Sequence, residues 1–67
     1  MDRLSLTQSI EQRYGAFVNV TEVAEFLKVH RGTARQILAG LPYLENGKEK
    51  NYFARDVADR LVERKRI

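Results

Sequence analysis

Arg31, Arg35 and Gln36 are the residues of this sequence whose types and spacing fit a defined chemistry. A guanidinium can donate two parallel hydrogen bonds to O6 and N7 of guanine, and a glutamine amide can pair in the same way with adenine. Each arginine can also contact a phosphate or remain in solvent, so these alternatives stay open. The pattern predicts a cationic helix face of a size that fits the major groove of duplex DNA.

Three further polar residues lie in or beside this segment. Thr33 can donate its hydroxyl to a phosphate or contact a thymine methyl group, and His30 is a turn or cap residue that can also touch a phosphate. Lys28 adds a cation, and no acidic residue lies between Lys28 and Arg35. We therefore expect the whole segment to carry positive charge.

A second candidate contact region lies further along the chain, at a predicted hairpin over residues 43–53. Asn46-Gly47 between two strand-capable segments favours a tight turn, because both residue types accept positive φ. The tip carries three candidate DNA contacts, Asn46, Lys48 and Lys50. Glu45 and Glu49 offset their charge, so a merely solvated hairpin is the alternative to a contact with the minor groove or the phosphate backbone.

Two short helices joined by a tight turn are predicted for residues 18–40. Asn19 and Glu22 have the spacing of a capping box, which starts the first helix at Val20. The second helix begins at Arg31 and stops at Gly40. The inward residues are predicted to be Val23, Ala24 and Leu27 in the first helix and Ala34, Ile37 and Leu38 in the second.

Residues 1–17 are predicted to form a preceding helix. Ser5 and Gln8 have the spacing of a capping box, and Gly15 is a stop signal. The apolar side comprises Leu6, Ile10 and Tyr14. This side either packs on the rest of the chain or binds a second copy or another protein. Phe17 is expected to be buried in the extended segment that follows.

Residues 54–66 are predicted to form a closing helix and a basic tail. The inward face comprises Val57, Ala58, Leu61 and Val62. Asp59 is expected to pair with Arg55, and Glu63 with Arg60 or Arg64. The tail Arg64-Lys65-Arg66 either follows a DNA backbone or is favoured by the helix dipole alone.

Composition sets the remaining limits. A chain of 67 residues is expected to form one domain, 1–67, and without Cys and with one His it offers neither a disulfide nor a zinc site. No nucleophile and base are spaced for catalysis, and no glycine-rich phosphate loop is present, so we expect no enzyme, no metal and no cofactor. Lacking both an apolar run of membrane length and a secretory signal, the protein is expected to be soluble and cytoplasmic, with no membrane partner.

The order of these motifs resembles the excisionase and MerR-like family of small helix-turn-helix proteins. Residues 18–38 contain an apolar residue, a cap, an acidic turn, Ala24-x-x-Leu27-x-Val29, and a helix that opens with Arg and Thr. Residues 43–61 are similar to the rest of that module, with a hairpin wing, a Tyr at the end of its second strand, and Asp56-Val57 opening a further helix. The family often has Gly at the position of Lys28 and Ser or Thr at that of His30.

The resemblance implies a mostly α fold with a small β-hairpin, namely a winged helix-turn-helix that binds double-stranded DNA. It also implies a recombination directionality or architectural factor of a mobile element, which acts with a tyrosine recombinase (an integrase) on the nucleoid of a bacterial cell and self-associates on DNA. A minimal MerR-like transcription regulator without a sensor domain is an alternative. An alternative of another class is a protein-interaction module.

Overall fold

The computed structural model describes residues 2–65, without the side chain of Lys65. Its elements are, in order, α1 (Arg3–Tyr14), β1 (Phe17–Val18), α2 (Val20–Leu27), α3 (Arg31–Leu38), β2 (Tyr43–Asn46), β3 (Glu49–Phe53) and α4 (Ala54–Lys65). The three strands form one antiparallel sheet in the order β1-β3-β2. The mostly helical fold with a small hairpin is confirmed. The expected basic tail, Arg64-Lys65-Arg66, lies partly outside the described residues, which end at Lys65.

Helix α1 begins one turn earlier than its predicted cap. The Asp2 side chain accepts a hydrogen bond of 2.7 Å from the backbone N–H of Ser5, so Asp2 is the N-cap and the predicted Ser5 capping box is wrong. A carboxylate at this position also interacts favourably with the helix dipole. The hydrogen bond from Ser5 lowers the pKa of Asp2. Gly15, with φ of 94°, follows the last helical residue as predicted.

The apolar side of α1 packs mainly on α4. Leu6 and Ile10 are buried there, which supports packing within the chain rather than an apolar face left for a partner. At the N-terminal end of α1, Arg3 Nη1 lies 3.1 Å from Asp59 Oδ1. The predicted pairing of Asp59 with Arg55 is therefore wrong, because a cation from another helix occupies that position.

Helices α2 and α3 match their predicted bounds. Asn19 accepts a hydrogen bond of 2.8 Å from the Glu22 N–H, and Glu22 Oε1 accepts one of 3.0 Å from the Asn19 N–H, which confirms the capping box. Lys28 ends α2 in the left-handed conformation, with φ of 59°. His30 is the N-cap of α3 but makes no side-chain hydrogen bond to it. Gly40 follows α3 with φ of 87°, a conformation that favours glycine.

The inward faces of these helices largely follow the prediction. Buried side chains that were predicted to face inward are Val23, Ala24, Ala34, Ile37, Leu38, Val57 and Ala58. Leu27, Leu61 and Val62 are partly buried and pack against the same cluster. The fully buried Ile10, Val18, Leu38 and Val57 show that α1, β1, α3 and α4 share one core.

The third strand was not predicted, and it changes the environment of Phe17. Val18 pairs with Tyr52 and Phe17 with Phe53, so alternate side chains point to opposite faces of the sheet. Val18 takes the inward position and is fully buried. Phe17 is 41% exposed and lies against the ring of Phe53 at 4.9 Å, so its predicted burial is wrong.

The hairpin turn lies one residue later than predicted. Asn46 pairs with Glu49, which leaves Gly47-Lys48 as the two-residue loop. Gly47 has φ of 67°, and it is the one residue of Asn46, Gly47 and Lys48 with positive φ. Asn46 is therefore the last residue of β2 rather than a turn residue.

Candidate nucleic-acid interface

A groove of about 460 Å³ lies between α3 and the β2–β3 hairpin, with the N-terminus of α2 at its end. Four cationic side chains line it, namely Arg31, Arg35, Lys48 and Lys50. They come from two parts of the sequence that the fold places opposite each other. The two predicted contact regions thus contribute to one concave surface.

The arginines lie on one flank of the exposed side of α3. Successive residues of an α-helix are about 100° apart, so Arg31 and Arg35 lie next to the buried Leu38, on the side that faces the hairpin. Gly32 and Gln36 occupy the centre of the exposed side, and Thr33 lies on the opposite flank. The face available to a ligand therefore runs from the arginines across Gly32 and Gln36.

The position of α3 depends on a side chain from α4. Arg60 Nη1 donates hydrogen bonds of 2.7 Å to the Ile37 carbonyl and 2.8 Å to the Ala39 carbonyl. The C-terminal carbonyls of a helix have no intrahelical partner and carry partial negative charge, so a guanidinium is a favourable cap. Arg60 Nε also lies 3.9 Å from Glu63, as one of the predicted pairings had it. Arg60 thereby fixes the end of α3 against α4.

Tyr43 is a groove residue that the sequence did not single out. The Lys50 ammonium lies 4.8 Å from the centre of the Tyr43 ring, within the range of a cation–π interaction. The Tyr43 ring in turn packs at 5.7 Å from the ring of the buried Tyr52. These contacts hold Lys50 beside the groove. The alternation of side chains along β2 predicts the face of the sheet on which Tyr43 lies. Only the register of β2 with β3 places Tyr43 near Lys50.

The N-terminus of α2 brings a polar cluster to the same groove. Asn19, Val20 and Thr21 line it together with Glu49. The Asn19 Nδ2 donates a hydrogen bond of 3.4 Å to Glu49 Oε1. This contact joins the start of α2 to the start of β3, and sequence reasoning missed it because thirty residues separate the partners.

Five of the predicted contact residues do not line the groove, although all are exposed: Lys28, His30, Thr33, Gln36 and Asn46. Thr33 and Gln36 lie on the solvent side of α3. Lys28 and His30 flank the α2–α3 turn, and Asn46 is at the end of β2. The structure thus brings four predicted residues together and distributes the others around them.

The groove cations differ from Arg3, Arg13 and Arg60 in their intramolecular partners, and they share the lack of an ion pair among residues 2–64 with Lys28, Arg55 and Arg64. Within the described part of the chain, ion pairs join Arg3 to Asp59, Arg13 to Glu25, and Arg60 to Glu63. None of these pairs involves Arg31, Arg35, Lys48 or Lys50. The groove cations therefore keep charge that is not neutralised by an ion pair within residues 2–64.

Two further features were sought among the described residues, a metal-binding cluster and a membrane-spanning helix. They contain no group of three His, Asp or Glu side chains arranged to hold a metal ion. None of the helices in this part of the chain has both the length and the apolar character needed to cross a bilayer.

Comparison of the chain with protein-family models, curated proteins and solved structures finds no match.

Proposed function

We propose that the protein binds double-stranded DNA as a small winged helix-turn-helix. In this arrangement α3 enters the major groove, and the β2–β3 hairpin is the wing that contacts the phosphate backbone or the adjacent minor groove. The observation that carries the proposal is the shared groove, where two arginines of α3 face two lysines of the hairpin. Cations on both sides of a concave surface suit a ligand that carries phosphates along its length.

The exposed side of α3 has a shape that supports close approach. A Cβ built at Gly32 would meet no atom within 4 Å, so packing within the chain gives no reason for glycine there. Gly32 also lacks a positive φ, so its backbone conformation does not require glycine. Glycine is a poor helix former, although its cost is smaller here, in the first turn of α3, than in a helix interior. A backbone that must lie close to a ligand accounts for it.

The position of each residue in the interface indicates whether it contacts bases or phosphates. Gln36, at the centre of the exposed side, and Arg35, on the flank, are proposed to meet base edges. Lys48 and Lys50, on the hairpin, are proposed to contact phosphates, which position a protein without selecting sequence. Arg31, in the first turn of α3, can serve either purpose.

The biological role rests on the family resemblance rather than on the groove. We propose an excisionase-like factor that bends DNA at a recombination junction and positions a tyrosine recombinase. Bending a short site costs about 1 to 6 kcal/mol, which favours several copies that associate on the DNA. A sensorless MerR-like regulator would use the same groove.

The interaction-module alternative has weaker support. The apolar side of α1, one of its two candidate docking helices beside α4, is buried against α4 through Leu6 and Ile10. The groove cations, by contrast, have no ion-pair partner within residues 2–64. The first observation removes one docking surface and the second favours a polyanionic ligand, while a mainly apolar cleft of about 580 Å³ beside Phe26, Val29 and Leu61 remains open.

Selection of binding sites from a pool of random duplexes, followed by gel-shift titration, tests the proposal. We expect enrichment of a short motif and tighter binding to it than to random duplex. Lack of binding to any duplex at low ionic strength would contradict the proposed function.

Footprints on the DNA of the source genome then separate the two roles. Repeated sites at the ends of a mobile element, with altered excision when the protein is removed, support the recombination role. Sites confined to promoters, with no effect on excision, support the regulator.

A further inference from the structure

We propose that the negative charge of Glu49 in the groove weakens binding to random DNA more than it weakens binding to a preferred site. The inference rests on the proposed DNA binding and assigns a specificity role to a residue that is not itself a cation of the interface. It concerns one acidic side chain among four cationic ones on the same surface.

Glu49 is the acidic residue among the described residues that line the groove. It follows Lys48 directly and precedes Lys50, and it is exposed. Glu45, on the neighbouring strand, pairs with Lys50 across the hairpin but does not line the groove. The two glutamates look alike in the sequence, and only the fold separates them.

The Glu49 carboxylate contacts the N-terminus of α2 through one long hydrogen bond. Asn19 Nδ2 donates to Glu49 Oε1 at 3.4 Å, while Asn19 Oδ1 accepts the Glu22 N–H at 2.8 Å. The N–H of Asn19 donates to the Glu22 carboxylate, so the whole capping box holds the Asn19 side chain in place. This contact brings the exposed carboxylate to the end of the groove beside Asn19.

A carboxylate in this place acts differently on two kinds of duplex. Random DNA is held almost entirely through its phosphates and can shift to whichever register gives most contacts to cations. A negative charge at the groove end repels phosphates and removes some of those registers. On a preferred site, base contacts from α3 set the register, so the carboxylate lies opposite a base edge or water. The repulsion then falls mainly on random DNA.

The test compares Glu49→Gln with Glu45→Gln. Both substitutions remove one negative charge from the same hairpin, so the change in net charge is identical. A glutamine oxygen can still accept the hydrogen bond from Asn19, which preserves the local structure. Binding of a fluorescent random-sequence duplex and of a selected duplex is measured by anisotropy over a series of salt concentrations.

We expect Glu49→Gln to bind random duplex about threefold to tenfold more tightly than the wild type at low salt. The slope of the logarithm of the association constant against the logarithm of the salt concentration should become steeper by about the amount for one phosphate contact, because a further phosphate can approach. Affinity for the selected duplex should change less, so the ratio of specific to random binding falls. Glu45→Gln should leave that ratio unchanged.

Two contrary outcomes have different meanings. If the wild type ignores all duplexes, the proposed function itself fails and the role of Glu49 fails with it. If the wild type binds but Glu49→Gln and Glu45→Gln change the ratio of specific to random binding equally, DNA binding stands and the proposed role of Glu49 is overturned.

Discussion

The arginines of α3 and the inward arginine of α4 have the same chemistry but different partners. Arg60 is fixed by two backbone carbonyls at the end of α3. Arg31 and Arg35 are exposed, line a groove and take part in none of the ion pairs among residues 2–64. A cation thus contributes to folding where the chain supplies its acceptors. Where the chain supplies none, the cation is available for an external anion.

The largest expected effect comes from removing the structural arginine. Arg60→Met keeps the length of the side chain but loses both hydrogen bonds to the carbonyls of Ile37 and Ala39. We expect the free energy of unfolding in urea to fall by about 2 to 3 kcal/mol, since hydrogen bonds to charged groups are worth about 1.5 to 3 kcal/mol. Arg55→Gln on the exposed side of the same helix should leave stability unchanged. Equal stability of the two variants would remove the contrast.

Arg35→Gln should have the opposite profile. We expect binding to a selected duplex to weaken by about 1 to 3 kcal/mol, because a base contact or a close phosphate contact is lost. Stability should stay the same, because Arg35 has no ion-pair partner within residues 2–64. Gel-shift titration and urea unfolding of the same preparation measure both quantities. A variant that unfolds more easily but binds normally would assign Arg35 a structural role instead.

Lys48→Gln tests the hairpin side of the groove. A phosphate contact carries no sequence information, so we expect affinity for selected and random duplexes to fall by similar factors. The dependence of the logarithm of the association constant on the logarithm of the salt concentration should become shallower by about the amount for one phosphate contact. Loss confined to the selected duplex would show that the hairpin, and not only α3, reads sequence.

Gly32→Ala is expected to give a small gain in stability and to separate folding from binding. Alanine favours helix over glycine and meets no atom here, so unfolding should become harder by about 0.5 kcal/mol. The added methyl group lies at the centre of the exposed side of α3, so affinity for the selected duplex should fall. Thermal unfolding and gel-shift titration measure the two effects. Improved stability with unchanged affinity would refute a close approach of the α3 backbone.

Much of the α2–α3 region was predictable because its signals are local. The capping box of Asn19 and Glu22, the stop at Gly40 and the spacing of Ala34, Ile37 and Leu38 all lie within a few residues of what they determine. The bounds of both helices follow from those signals alone.

The missed features depend on residues that are far apart in the sequence. A two-residue strand such as β1 has no pattern of its own and forms because Val18 meets Tyr52. The same holds for Arg60, whose acceptors lie in another helix, and for the contact of Asn19 with Glu49. The sequence predicted all four groove cations, but not that they share one groove with Tyr43 and Glu49.

The most direct test of the proposed interface is chemical-shift mapping of the ¹⁵N-labelled protein during titration with a selected duplex at low ionic strength. The largest amide shifts are expected in residues 31–36 and 47–50, with little change along α1. Shifts concentrated on α1 or on the outer face around Phe17 and Phe53, or no shifts at all, would contradict DNA binding through this groove.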